Sequence, residues 1–261
     1  MKKALTLAGS DTSGGAGIQA DLKTFHTLDV YGMSALNTLV TMDPQGWAHR
    51  VHPIPLETVE AQLETILSTG LDAMKTGMLS TVEVIQLAVD VIEQHHLRNV
   101  VIDPVMVCKG ETDVLHPEIK EALRDRLVPK ATVVTPNLFE AAQLAGMEPI
   151  TTLEEMKEAA QVIHRLGPSY VLIKGGSGID HEQAVDLLFD GKTFTTYESE
   201  KLDPPHTHGA GCTYSAAVTA GLAHGNSVEE AVRQAKTFIT RAIGNGFPLN
   251  QHVGTVRQLR S

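Results

Sequence analysis

A chain of 261 residues, 42% hydrophobic and 20% charged, can bury a globular core, and it contains no apolar run of membrane-spanning length. Its formal net charge of −10 excludes a broad nucleic-acid or anionic-membrane surface, which would need clustered basic residues, but leaves room for a locally bound phosphate. Two cysteines, Cys108 and Cys212, are too few for a four-thiolate zinc site.

Short apolar runs alternate with segments of helical period along the chain. Ala4–Ala8 reads as a buried strand. The apolar run in MKKALTLAGSD is too short for the core of a secretion signal, and Asp11 ends it. The cysteines are therefore expected to stay reduced, in the cytoplasm. Ala16–Leu28 reads as a helix, Met33–Val40 as a strand, Leu56–Ser68 as a helix, Ala73–Thr76 as a strand and Val82–Gln94 as a helix. Asn99–Asp103 (NVVID) is an apolar strand ending in an acid. A helix over His116–Leu127, a strand over Thr132–Thr135 and helices over Asn137–Ala145 and Leu153–Leu166 follow. Tyr170–Lys174 (YVLIK) is a strand. Ala184–Phe189 and Thr193–Glu198 flank Asp190–Gly191 as a hairpin, and Ala210–His224 and Val228–Asn245 close the order as helices.

This alternation implies an α/β fold, a parallel sheet with helices on both faces, and no linker divides it, so one domain is expected over 1–261. Ligands of such sheets collect beyond the carboxyl ends of the strands. Asp11, Asp43, Lys75, Asp103, Asn137 and Lys174 all fall at or just past those ends.

Five stretches carry candidate chemistry. GSDTSGGAGIQAD (9–21) lacks the Lys-Ser or Lys-Thr of a Walker A loop. Gly15–Ala20 fits the dinucleotide pattern G-x-G-x-x-A, but Asp43 lies 28 residues past Gly15, beyond the usual ~20. A nicotinamide-dependent oxidoreductase is thus one reading and a tight turn with close helix packing the other. In VIDPVMVCKG (101–110), Asp103 reads as a holder of magnesium or its waters, or as a turn residue before Pro104. The charged loop after Cys108 reads as a flap over a pocket, around 105–116. In TPNLFEAAQLAG (135–146), Asn137 and Glu140 share the first helical turn, as a cap or as a pair aimed at a nucleotide and its magnesium. Lys174, before Gly175-Gly176, reads as a phosphate partner or as a solvated lysine at a turn. In HTHGAGCTYSAA (206–217), Gly209, Ala210 and Gly211 open a helix whose free amides form an anion cradle. The same amides favour a thiolate at Cys212, which otherwise reads as a packed structural cysteine.

Taken together, AGSDTSGGAGIQADLKTF, MKTGML (74–79), VIDPVMVCKG, TPNLFEA and THGAGCTYSAA resemble the vitamin kinases of the ribokinase superfamily. Among these the chain is similar to the bacterial pyridoxal kinases that are built like hydroxymethylpyrimidine kinases. The resemblance implies a three-layer α/β/α sandwich with a mostly parallel sheet. It also implies transfer of the ATP γ-phosphate to the 5'-hydroxymethyl group of vitamin B6, with hydroxymethylpyrimidine or its phosphate as the rival acceptor. It assigns the anion hole to Gly209–Gly211 and the proton acceptor to Cys212, where sugar kinases carry aspartate. Cys108 in the flap marks the pyridoxal-selective subgroup, and TMDP (41–44) departs from the glutamine-containing segment of the pyrimidine enzymes. It further implies that Gly9, Asp11, Asp43, Met78 and Val107 meet the vitamin and that Asn137, Glu140, Lys174, Asp186 and Gly211 meet ATP. Mg2+ would lie near Asp103 and Glu140, partly through water, and the chain would form a homodimer. A hemithioacetal between Cys212 and the pyridoxal aldehyde is a further expectation, with Cys108 relaying protons.

Overall fold

The structure, a computed structural model, describes residues 1–106, 117–202 and 206–259. Among these residues nine strands form one sheet, in the order β3-β2-β1-β4-β5-β6-β7-β8-β9. The strands are β1 Lys2–Asp11, β2 Val30–Met42, β3 His49–Pro53, β4 Ala73–Thr76, β5 Val100–Ile102, β6 Val133–Val134, β7 Tyr170–Lys174, β8 Ala184–Phe189 and β9 Phe194–Ser199. From β2 to β7 neighbours run parallel, while β3 pairs antiparallel on one flank and β8 and β9 on the other. This is the α/β sandwich expected from the sequence.

The central strands are apolar throughout because both faces are covered. Val100 and Ile102 enter one core with Val134, Val171 and Ile173, whereas Val101 enters the opposite core with Val133 and Leu172. The period of two thus serves two helical layers at once. Helices α2 Leu56–Leu67, α3 Val82–Gln94, α4 Pro117–Ala122, α5 Leu138–Ala145 and α6 Leu153–His164 cover the first face, and α1 Gly17–Thr27, α7 Ala210–Ala223 and α8 Val228–Gly244 the second.

Three features differ from expectation. The helix expected to Leu127 leaves α geometry after Ala122, widens into a π turn over Leu123–Leu127 and tightens into a 3-10 turn over Val128–Lys130. Pro129 explains the change, since it has no N–H to continue the ladder. Strand β3 has no apolar alternation to announce it, because HRVHP is an edge strand with mostly exposed side chains. A short pair, β10 Phe247–Pro248 with β11 Gly254–Thr255, was equally silent in the sequence.

Helix α7 positions the site. It packs on β1, β4 and β5 and lies between α1 and α8. Buried on every side from Thr213 to Ala223, it has no polar face, which is why its residues are small. A Cβ added at Gly221 would stand 2.7 Å from the Ala231 Cβ. Gly221→Val should therefore destabilise the protein by about 1–3 kcal/mol by forcing α7 and α8 apart. Urea unfolding checks this; an unchanged midpoint would mean the two helices do not pack this closely.

Candidate active site

The carboxyl ends of β1, β4 and β7, the segments after β5 and β6, and the start of α7 enclose a cavity of about 640 Å³. Gly9 and Asp11 reach it from β1, Lys75 from β4, and Gly77 and Met78 from the turn beyond. Asp103, Asn137, Glu140 and Lys174 enter from the next three strand ends, and Gly209, Ala210, Gly211 and Cys212 from α7.

Gly209, at φ 78°, is the N-cap of α7. It has no side chain to cap the first turn; Ala210 N–H donates to the Thr207 carbonyl at 3.1 Å, and the rest of the helix start faces the cavity as backbone. A Cβ there would collide with the carbonyl of Gly15. One at Gly15 would strike the His208 ring, and one at Gly17 the carbonyl of Gly9. These contacts dispose of the dinucleotide pattern: α1 starts at Gly17, and the place next to Gly15 is filled by His208 and Gly209.

A buried lysine and a half-buried one meet three buried carboxylates. Lys174 Nζ donates to Asp103 Oδ1 at 2.8 Å, and Ser215 Oγ donates to Asp103 Oδ2 at 3.0 Å. Burial opposes the charge of Asp103, yet Lys174 and Lys75 hold its carboxyl below the usual range. Asn137 and Glu140 form a reciprocal capping box: Glu140 N–H donates to Asn137 Oδ1 and Asn137 N–H to Glu140 Oε2, both at 2.8 Å. Burial pushes the Glu140 carboxyl up to about 7, against the pull of Lys174 and with the repulsion of Asp103. Lys75, fully buried, donates to Asp21 Oδ2 at 3.0 Å, and Thr6 Oγ1 donates to the same oxygen at 2.6 Å. Burial works against the Lys75 charge, but Asp21, Cys212 and Asp103 outweigh it and hold the pKa above the ordinary lysine range.

A third cluster ties the loops together. Asp11 accepts from Ser13 N–H and Ala16 N–H, each at 2.8 Å, and from His208 Nε2 at 2.7 Å. His208 N–H donates to Gly254 and Val256 N–H to the His208 carbonyl, so β11 clamps the loop before α7. His208, Lys75 and Asp21 carry much of this framework. In the sequence, His208 lies within HTHGAGC and Asp21 closes the 9–21 stretch, while Lys75 stands at a strand end; nothing there pointed to the pairing of Lys75 with Asp21.

Several expectations change. The thiolate expected at Cys212 is opposed: the residue opens onto the cavity half-buried, and loss of solvation pushes its thiol up to about 12, with Lys75 as the first offsetting charge. Amides at the helix start do not overcome that burial. Asp43 is not a cavity residue, because its Oδ1 accepts from Gln45 N–H and Gly46 N–H at 3.0 Å and shapes the turn into β3. Met42 and His49, beside it, do face the cavity. Asp186 is also outside it. Lys236 Nζ donates to it at 2.8 Å, and its Oδ1 accepts from Gly176 N–H at 3.1 Å, so it supports the loop after Lys174 from behind. Gly175 is required there by the carbonyl of Val185, which a Cβ would strike. Val107, Cys108 and nearly all of the flap over 105–116 lie outside the described residues.

The chain matches the family model described as phosphomethylpyrimidine kinase over residues 11–257. It is 60% identical over 259 residues to the pyridoxine kinase of Bacillus subtilis (strain 168), covering 98% of this chain and 96% of that protein. Its structure is similar to the ADP complex of Bacillus subtilis pyridoxal kinase, with a TM-score of 0.96, 60% identity and coverage of 99% and 97% of the two chains. It is likewise similar to the Staphylococcus aureus pyridoxal kinase in complex with AMP-PCP and pyridoxal, with a TM-score of 0.94, 50% identity and coverage of 100% and 94%.

The Asp11 clasp predicts a pH signature. Burial alone would raise this carboxyl, but the hydrogen bonds from His208 and Ser13 hold it at about 2, below the 3.8 of a free aspartate. A depressed carboxyl stabilises the fold above its unfolded pKa and loses that contribution as pH falls through its folded one. The stability gap between wild type and Asp11→Asn should hold above pH 4 and shrink by about 2 kcal/mol between pH 4 and 2. Denaturant titrations over that range measure it; a gap independent of pH would remove the clasp.

Proposed function

The chain belongs to the phosphomethylpyrimidine kinase family, and we infer that it is an ATP-dependent pyridoxal and pyridoxine kinase. One observation carries this reading. The start of α7, the Lys174 ammonium and the Cys212 sulfur open into the same cavity, so a phosphate cradle and a proton acceptor share one acceptor site. The Staphylococcus aureus relative holding AMP-PCP and pyridoxal supports the same pair of substrates.

Phosphoryl transfer needs positioning and charge neutralisation more than a strong base. The amides of Gly209 and Gly211 would take the oxygens of the moving phosphoryl group, Ala210 N–H being held by the Thr207 carbonyl, and Lys174 would add a positive charge beside them. Gly9 and Met78, with Asp11 behind them, would seat the vitamin ring, and Asn137 and Glu140 would face the nucleotide. Among the described residues no three of His, Cys, Asp and Glu converge as a metal site. Asp103 is already engaged by Lys174 and Ser215, and Glu140 is a buried carboxyl short of positive charge. These residues fit a magnesium ion that arrives on the phosphates, faced by Glu140 and, through water, by Asp103. When bound, Mg2+ would neutralise phosphate charge.

Cys212 would serve the two vitamers differently. Pyridoxine has no aldehyde, so with it the thiolate form of Cys212, the minor form at neutral pH, would take the alcohol proton. Pyridoxal can add the thiol across its carbonyl: a C–S bond forms and the thiol proton ends on the former carbonyl oxygen. That sulfur then accepts no second proton, and the relay falls to Cys108 on the flap. The reading extends to one kinase domain over 1–261, supported by the continuous nine-stranded sheet, and to a homodimer, for which β3 offers an exposed edge. It places the chain in the cytoplasm, where the free Cys212 thiol stays reduced.

Cys212→Ala should lower kcat at least about 100-fold with either vitamer. Cys108→Ala should cost more with pyridoxal than with pyridoxine. Steady-state assays with pyridoxal, pyridoxine and hydroxymethylpyrimidine check both, and mass spectrometry of the pyridoxal complex reads the adduct at Cys212. Unchanged rates in both variants would refute these roles, and a higher kcat/KM for hydroxymethylpyrimidine would transfer the chain to the rival substrate.

A further inference from the structure

Lys236 lies on the apolar face of α8. Val232 and Ile239, four positions before it and three after, share that face and are buried in the core, and Lys236 itself is only 7% exposed. Lysine is seldom buried so deeply, and a purely structural ion pair there could give way to apolar side chains. Its contacts lead further. Nζ donates to Asp186 Oδ2 at 2.8 Å and to the Ala184 carbonyl at 3.1 Å. Asp186 Oδ1 accepts from Gly176 N–H at 3.1 Å, and Val185 N–H donates to the Gly176 carbonyl at 3.0 Å. The start of β8 is thus tied to α8 on one side and to the turn after β7 on the other. That turn has no slack, since Gly176 stands at φ 52° and a Cβ at Gly175 would strike the Val185 carbonyl. Asp186 lies opposite Lys174 in the β7–β8 pairing. Lys174 N–H donates to the Pro136 carbonyl at 2.8 Å, and its ammonium sits on Asp103, 3.4 Å from where a Cβ at Gly211 would stand. Contacts therefore run without a break from α8 to the cavity.

We propose that Lys236 is a positioning residue for Lys174. Through Asp186 it fixes the turn at Gly175–Gly176, and so the place of the Lys174 ammonium between Asp103 and the start of α7. Its kinetic consequence rests on the reading of Lys174 as a phosphate partner. Neither Lys236 nor Asp186 lines the cavity, so the pair acts by geometry and not by touching a substrate. The effect is one-sided. Asn137 bridges to Lys174, so a displaced end of β7 disturbs the side that would face the nucleotide. Gly9 and Met78, which would seat the vitamin, come from β1 and the turn beyond β4 and are held independently.

Steady-state kinetics with magnesium-ATP and pyridoxine, together with hydrogen exchange of the ligand-free protein read by mass spectrometry, test this. Lys236→Met should lower kcat/KM for ATP at least about tenfold and leave KM for pyridoxine within about twofold. Exchange should quicken in the peptide that holds Gly176 and stay unchanged in α7. In a Lys174→Met background the same substitution should cost less than about threefold, because the ammonium to be placed is gone. A merely structural pair would raise both KM values together, or cost as much without Lys174 as with it, and either result overturns the proposal. So does unchanged exchange at Gly176, or wild-type kinetics in Lys236→Met where Lys174→Met is impaired. If Lys236→Met does not fold, Lys236→Gln, which keeps a donor and loses the charge, is read by the same criteria. Quickened exchange at Gly176 with full activity in Lys174→Met would leave the positioning standing and sink the reading of Lys174 as a phosphate partner.

Discussion

The cavity exists because two backbone segments touch: Gly209 rests on the carbonyl of Gly15, with no Cβ between them. That contact fixes where α7 begins, and the beginning of α7 is where the proposed phosphate cradle lies. It also explains an arrangement of glycines that mimics a dinucleotide loop. Gly15 and Gly17 bring α1 and β1 against the cap of α7. Small residues along α7 continue the same requirement, since a helix that must lie on the sheet between two others has room only for Ala, Gly, Ser and Thr over most of its length.

On this frame the charges are unevenly matched. Lys75 and Lys174 confront Asp21, Asp103 and Glu140, and two of the three carboxylates already have a lysine. Burial raises the Glu140 carboxyl, and the pull of Lys174 does not offset it. A site of this kind would favour a triphosphate that brings its own cations. The amides and Lys174 would then deal with the transferring group, leaving the far end to Cys212. The division of labour follows from which strand each residue ends.

Much of this was legible in the sequence. Strands such as YVLIK and NVVID are apolar at every position, so their burial on both faces could be read directly, and the polar residues at their ends had to converge. What could not be read were features without an apolar signal or with a long sequence separation. The edge strand HRVHP shows solvent, not core, to its surroundings. Asp43 and Asp186 have the right residue type at a strand or near its end. Yet one serves a turn and the other a lysine on α8, and only the direction of the side chain separates these fates from a ligand contact. The state of Cys212 was misjudged for a related reason. The helix start is visible in the sequence, whereas the burial that opposes it depends on which distant segments pack around the sulfur.

The clasp joins parts of the chain that lie far apart: Asp11 meets His208 across 197 positions and Gly15 meets Thr255 across 240. Contacts of such separation close slowly and late, after locally connected strands and helices have formed. An intermediate with the sheet assembled and β11 undocked would possess the architecture and lack the cradle. Nucleotide binding would then mark completed maturation, distinguishing finished molecules from those that merely have their secondary structure.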